Sequence, residues 1–398
     1  MEEFAPTLAF APAEILRRTV PPHTYGLTRR LEIKQLTGIR IVAALWVVTF
    51  HYRELFEGIL PELRGTGVLT GAGYLAVDLF FVLSGFILAY QYMDRMQLSQ
   101  RSLYAEFLWK RLARIYPVHI TVLAMLAVMV FGLRSSGRDV NNPEAFTLEG
   151  MILDILLIRS WVGDSQGWNG PAWSLSAEWL AYVLFPVIAA LALWLLTQPR
   201  SVWVLAVITL LCVSTIANAI HPSTNEMPLP VIRVLTAFIS GCVIYLLVRD
   251  RKPSRSSGWL GVATLIMLIS VPGLIDNYVI RGAVGVILAG GAVYFLAGGT
   301  GAGVRFLSTA PLQYGGRISF SLYVIHVPML SVIERGLPLS IAQESSAMRL
   351  AVAVLILAIV LVGAAALYHF VEHPAQRFLV MRSPFNHTVG TQTETQTR

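Results

Sequence analysis

Apolar residues run in stretches near twenty long, separated by short connections rich in charge, Pro and Gly, and this alternation repeats along almost the whole chain. Crossing a bilayer as a helix takes about 20 apolar residues. Runs of that kind begin near Leu36, Gly71, Ile115, Trp173, Ser201, Pro230, Gly258, Ile280, Tyr314 and Met348. The pattern predicts an all-α polytopic membrane protein with about ten transmembrane helices. The stretch from Leu148 to Trp161 is shorter and carries Glu149, Asp154 and Arg159, so it reads as an interfacial or re-entrant piece of an outer loop. Residues 1–35 are polar, hold Pro6, Pro12, Pro21 and Pro22, and lack the apolar core of a signal peptide. They read as a cytoplasmic tail, residues 36–380 as the membrane domain, and residues 381–398 as a disordered cytoplasmic tail.

Composition sharpens this picture. Of 398 residues, 55% are hydrophobic and 13% charged, which excludes a soluble enzyme and leaves little chain for a second domain. The net charge of +7 fits nucleic acid, anionic lipid or cytoplasmic loops, and the placement of the charges decides between them. With the N-terminus inside, twenty Lys and Arg fall on inner segments and eight on outer ones. Cytoplasmic connections carry such an excess, so both termini are expected in the cytoplasm, the location is a multi-pass inner (plasma) membrane, and nucleic-acid binding loses its motive. Cys212 and Cys242 both lie in apolar stretches, so neither a disulfide framework nor a metal cluster is expected.

Ionisable residues at membrane depth are costly and are functional candidates. Arg40 and His51 lie eleven residues apart in the first span, close to three full turns, so they share one helical face with a rise of ~16 Å between them. The helix therefore offers a fixed cation at one depth and a titratable imidazole, a candidate general base, further out. Asp78 and Glu178, counted in from the outer ends of their spans, reach a similar depth, and either is a candidate orienting partner for His51. A structural ion pair is the alternative for each. Lys110, Arg111 and Arg114 precede the third span, with Arg111 and Arg114 on one helical face and suited to phosphate. Ordinary positive-inside anchoring explains them equally well. His326 and Glu372 belong to the last two spans, and packing or hydrogen bonding is the alternative for both. Trp161, Trp168, Trp173 and Trp179 gather around the outer connection, as an interfacial belt or as an aromatic platform for a sugar ring.

Five segments give the sequence a family likeness: LTGIRIVAALWVVTFH from Leu36, AVDLFFVLSGFILAY from Ala76, WKRLARIYPVHI from Trp109, WSLSAEWLAYVLFP from Trp173 and GGRISFSLYVIHVPM from Gly315. In this order, with the ending from Tyr368 to Arg377, the chain resembles the acyltransferase-3 family of integral-membrane O-acyltransferases over residues 31–380. The resemblance implies a ten-helix domain that passes an acyl group, commonly acetyl, from cytoplasmic acyl-coenzyme A to a hydroxyl, often on a cell-envelope sugar. The family's Arg-x10-His motif falls on Arg40 and His51, and its paired arginines fall on Arg111 and Arg114. Thr37 stands where family members often have Asp. Some relatives carry a further extracytoplasmic hydrolase-like domain; here the chain ends soon after the tenth span, so direct transfer to the final acceptor is expected.

On this basis Arg40, Lys110, Arg111 and Arg114 are expected to bind acyl-coenzyme A, a co-substrate and not a tightly bound cofactor, with Arg111 and Arg114 on its phosphates and Arg40 holding the chain near the entrance. The reach from Arg40 to His51 is comparable with an extended pantetheine arm. His51 would deprotonate the acceptor hydroxyl with Asp78 or Glu178 as its partner, and Tyr323, His326 or a main-chain N–H would stabilise the oxyanion. The acceptor is expected to be an envelope glycan or glycolipid, with a macrolide or other small metabolite as the alternative. A transporter or flippase and a non-catalytic sensor of acyl-coenzyme A are the rival classes.

Overall fold

The computed structural model describes residues 32–94, 101–140, 143–162, 167–199, scattered positions between 201 and 216, and 229–385 apart from 338–340 and 342–343. Its elements are helical throughout: α1 Lys34–His51, α2 Ala76–Tyr92, α3 Arg101–Ser135, α4 Leu148–Ile155, α5 Arg159–Val162, α6 Trp173–Leu195, α7 Leu229–Val248, α8 Arg255–Ser270, α9 Tyr278–Ala297, α10 Ala310–Gly336, α11 Ser346–Leu367 and α12 His373–Met381. Among the described residues the β-structure amounts to one isolated bridge, Ser254 with Gly299.

Among the described residues, eight helical stretches are long and apolar enough to cross a membrane. The first helix, α1, is not among them, because Lys34, Gln35, Arg40 and His51 dilute its apolar run. The span expected from Ser201 is described only at scattered positions, and nearly all of the N-terminal tail and most of the C-terminal one lie outside the described residues. The chain is thus an all-helical, multi-pass membrane protein. Helix α3 begins at Arg101, well before the apolar run at Ile115, so Lys110, Arg111 and Arg114 ride on the helix itself and do not precede it.

Side-chain caps close several helix starts by taking an otherwise orphaned backbone N–H. Thr147 accepts from Gly150, Ser254 from Ser257, Asn277 from Ile280 and Ser345 from Met348. Apolar surface gives helices no reason to associate inside lipid, so close backbone approach has to supply the contact. Helix α7 packs closely against α2, and a Cβ at Gly85 would lie 1.9 Å from the Phe238 carbonyl oxygen. Likewise α1 lies along α10, where a Cβ at Gly316 would lie 2.1 Å from the Thr37 carbonyl oxygen. These two seams fix the helices that carry the polar residues.

Contacts sort by end. Trp109 Nε1 donates to the Leu379 carbonyl and Gln313 Nε2 to that of Lys34 at one end. Trp46 Nε1 donates to the Leu69 carbonyl and Arg349 pairs with Glu62 at the other. The stretch Leu148–Trp161 folds as the short helices α4 and α5, joined through Leu157 in a left-handed conformation (φ 57°). Asp154 and Arg159, both buried, form an ion pair at 2.7 Å that holds this knot together.

Candidate active site

The C-terminal end of α1 opens into a cavity of about 690 Å³ whose walls include His51, Tyr74, Trp168, Trp173, Arg233 and Tyr323. His51, last residue of α1, is exposed into this space. Its ring lies 5.0 Å, centroid to centroid, from that of His326 on α10, tilted by 57°. Tyr52 follows His51, and its hydroxyl donates to the His326 carbonyl at 2.7 Å, so the two histidine-bearing segments are clamped together. His326 itself is fully buried. Its Nδ1 lies 2.7 Å from the Tyr323 carbonyl oxygen, while its Nε2 is buried with no partner among the described residues.

Two of the four tryptophans, Trp168 and Trp173, line the cavity, and Trp161 and Trp179 do not. The α4–α5 knot sets Trp168: Asp154 Oδ2 accepts from its backbone N–H at 3.0 Å, and its indole donates to the Thr147 carbonyl. Asn169 and Pro171 dock the following turn onto α10. Asn169 Nδ2 donates to the Val324 carbonyl at 2.9 Å, and the Tyr323 hydroxyl lies 2.7 Å from Ser174 Oγ and 3.3 Å from the Pro171 carbonyl.

Neither carboxylate expected beside His51 is hydrogen-bonded to it. Asp78, fully buried, is held by Arg233 of α7 through two parallel bonds of 2.9 Å and 2.6 Å, the fork geometry that suits a guanidinium to a carboxylate. Glu178 accepts from Ser84 Oγ at 2.7 Å and from the Tyr182 hydroxyl at 2.5 Å, and it lies within electrostatic reach of Arg40. Glu178 thus lies toward Arg40, eleven residues before His51 on α1, and not beside the imidazole.

A second polar cluster gathers around the other half of α1. Arg40 lies within electrostatic reach of Arg114, Glu372, Glu178 and Tyr182. Arg114 Nη1 pairs with Glu372 Oε1 at 2.5 Å, and Ser321 Oγ donates to Glu372 Oε2 at 2.6 Å. A π-helical turn over Tyr368–Glu372, between α11 and α12, aims Glu372 inward at the extra residue. Arg111 lies over the rings of Tyr92 and Phe107, 5.7 Å and 6.0 Å from their centroids, and its Nε has no partner among the described residues. Lys110 instead pairs with Glu106 one turn earlier on α3.

The structure therefore places His51 and Tyr323 on one cavity with the ring of His326 beside His51, gathers Arg40, Arg114 and Glu178 into a second cluster with Arg111 near Tyr182, and pairs Asp78 with Arg233 in the cavity wall. Sequence reasoning left Ser84, Tyr182, Ser321 and Asn169 unnoticed, since short polar side chains within apolar helices carry no strong signal. Arg233 did carry one: a cation inside a span needs an anion at its depth, and Asp78 was available. Among the described residues no group of three or more His, Cys, Asp and Glu is arranged to hold a metal ion.

Comparison with known proteins matches residues 33–369 to an acyltransferase domain family. The chain is 29% identical over 385 residues to "Acyltransferase MdmB" of Streptomyces mycarofaciens, covering 89% of this chain and 95% of that protein. It is 33% identical over 184 residues to "Protein 2 in picA locus" of Rhizobium radiobacter, covering 43% and 88%. With "O-acetyltransferase OatA" of Staphylococcus aureus it shares 23% identity over 323 residues, 74% of this chain and 50% of that one. No solved structure matches.

Proposed function

Because the chain belongs to the acyltransferase-3 family, whose domain covers residues 33–369, we propose that it is a plasma-membrane O-acyltransferase. In this reading it moves an acyl group, acetyl first among the candidates, from cytoplasmic acyl-coenzyme A to a hydroxyl of an envelope glycan or glycolipid. One observation carries it: a single helix, α1, links a cluster of guanidinium groups in one half to an imidazole exposed in a 690 Å³ cavity at its other end.

The excess of Lys and Arg on one set of connections supports an orientation with the arginine cluster toward the cytoplasm and both termini inside. Arg111, Arg114 and Arg40 then receive the phosphates of the co-substrate through charge-assisted, forked hydrogen bonds. Lys110, committed to Glu106, adds general positive charge only. The thioester reaches outward along α1. The acceptor enters the outer cavity, where the flat faces of Trp168 and Trp173 suit the C–H faces of a sugar ring. His51 takes the hydroxyl proton as the oxygen attacks the thioester carbonyl carbon. The new C–O bond replaces the C–S bond, the electron pair leaves on sulfur, and the proton held by His51 passes to that thiolate. A main-chain N–H, or the Tyr323 hydroxyl once it turns from Ser174 and the Pro171 carbonyl, supplies the donor for the oxyanion. Asp78 and Glu178 act at one remove, Asp78 by holding Arg233 in the cavity wall and Glu178 by balancing Arg40.

The test is acyl transfer by purified, detergent-solubilised protein given labelled acetyl-coenzyme A and an envelope extract, with His51→Ala beside wild type. Label in a glycan product from wild type, reduced about 10²- to 10⁴-fold in the variant, is the expected result. Equal labelling by both proteins removes His51 from the chemistry, and label in a small secondary metabolite replaces the acceptor while leaving the chemistry in place.

A further inference from the structure

A histidine that removes a proton works best when its other ring nitrogen is held, because that bond selects the tautomer and aims the free lone pair. The carboxylates that sequence offered for this task are committed elsewhere, Asp78 to Arg233 and Glu178 to Ser84 and Tyr182. The group that does face His51 is the ring of His326. A carbonyl oxygen only accepts, so the 2.7 Å contact between the Tyr323 carbonyl and His326 Nδ1 requires the proton on Nδ1. A neutral imidazole with its proton there keeps a lone pair on Nε2, and Nε2 is the buried atom left without a partner. A buried acceptor in that state carries a desolvation cost until a donor arrives. The 5.0 Å centroid separation is close to two imidazole radii plus one N–H···N hydrogen bond, so rotation of the His51 side chain closes the contact without moving either helix.

We infer that His326 is the positioning residue for His51, its Nε2 accepting the N–H of one His51 ring nitrogen so that the other nitrogen's lone pair faces the acceptor hydroxyl in the outer cavity. This rests on the proposed acyl transfer. The chain of contacts runs from the Tyr323 carbonyl through His326 to His51, and the Tyr52 hydroxyl on the His326 carbonyl holds the two segments in register. Each proton has one place: Nδ1–H of His326 goes to the carbonyl, one N–H of His51 goes to Nε2 of His326, and the proton taken from the hydroxyl goes on the remaining nitrogen of His51. His326 then has no N–H to offer an oxyanion, which removes it from the set of oxyanion donors considered from sequence.

The test is a double-mutant cycle on labelled acetyl-coenzyme A and the envelope extract, with wild type, His326→Phe, His326→Gln, His51→Ala and the double variant His51→Ala/His326→Phe. Equilibrium binding of coenzyme A reports whether each variant is folded. In the wild-type background His326→Phe lowers kcat about 10- to 100-fold, the size found when a partner that orients an imidazole is removed, with the KM for acetyl-coenzyme A unchanged. His326→Gln, which keeps an acceptor oxygen, recovers most of that loss. In the His51→Ala background His326→Phe causes no further loss, because two residues acting as one unit are not additive. A further loss of tenfold or more in that background overturns the inference, as does a His326→Phe variant with wild-type kcat. Should His326→Phe fail to bind coenzyme A, His326→Gln decides: kcat within a few-fold of wild type supports the inference, and kcat as low as that of His51→Ala with intact binding overturns it. Absence of His51-dependent transfer by wild type itself defeats the proposed function, and the inference with it.

Discussion

The two ends of α1 handle polarity in opposite ways. Around Arg40, charge is dense and mutually compensated: Arg114 on Glu372, Glu372 also on Ser321, Glu178 on Ser84 and Tyr182. Around His51 the rings of His326 and Tyr323 are neutral partners, the space is open, and a buried nitrogen, His326 Nε2, is left without a partner. Charge that is compensated within a low-dielectric interior holds a fixed shape and a fixed potential, which suits binding an anion repeatedly. A neutral, incompletely bonded pair beside a cavity leaves a lone pair free to act, which suits proton transfer. Asp78 belongs to the His51 end, where it pairs with Arg233 in the cavity wall.

The contrast can be broken or sharpened by substitution. The largest effect is expected at Asp78. Asp78→Ala leaves the Arg233 guanidinium buried and unpaired, a loss of about 3–5 kcal/mol that thermal unfolding in detergent will register; replacing Asp78 and Arg233 together by apolar residues is expected to restore much of it. Next comes Arg111→Ala, which removes one forked cation and is expected to raise the KM for acetyl-coenzyme A about 10- to 100-fold with kcat little changed. Steady-state kinetics in which kcat falls and KM holds would move Arg111 out of the donor site. At the His51 end Trp168→Ala withdraws one aromatic face from the cavity and should weaken the acceptor by about 0.5–1.5 kcal/mol, about 2- to 12-fold in its KM, while the KM for the donor stays fixed. Smallest is Lys110→Ala, whose partner Glu106 lies one turn away in a half-exposed pair, so stability and donor KM are expected to change by about 0.5 kcal/mol or less.

How much of this was legible beforehand depends on the reach of each contact. Spacing along one helix is a local property, so the shared face of Arg40 and His51, and that of Arg111 and Arg114, followed from the number of residues per turn. Hydropathy likewise located eight of the ten expected spans among the described residues, although α3 extends well past its apolar core because charged residues continue a helix readily outside the bilayer. The partners were less legible. Asp78 and Arg233 are 155 residues apart, and which carboxylate meets which cation depends on the α2–α7 seam that Gly85 permits. Glu178 meets Ser84, Tyr182 and Arg40 instead of His51, a choice of partners made by the packing of α6 against α2 and α1 that a count along its own apolar run does not reveal. The inward turn of Glu372 needs a π-helical residue that no periodicity announces. His326 was recognised as a candidate, but its tautomer rests on a backbone carbonyl three residues earlier, which only coordinates supply.

In the proposed mechanism binding and chemistry are divided between the two ends of one helix, a division that acetyl-coenzyme A binding and acyl transfer measured on the same preparation of His51→Ala will test. Donor affinity is expected within about twofold of wild type, as for a substitution remote from the binding contacts, together with loss of nearly all transfer. Weakened donor binding in step with lost transfer, or undiminished transfer, would contradict it.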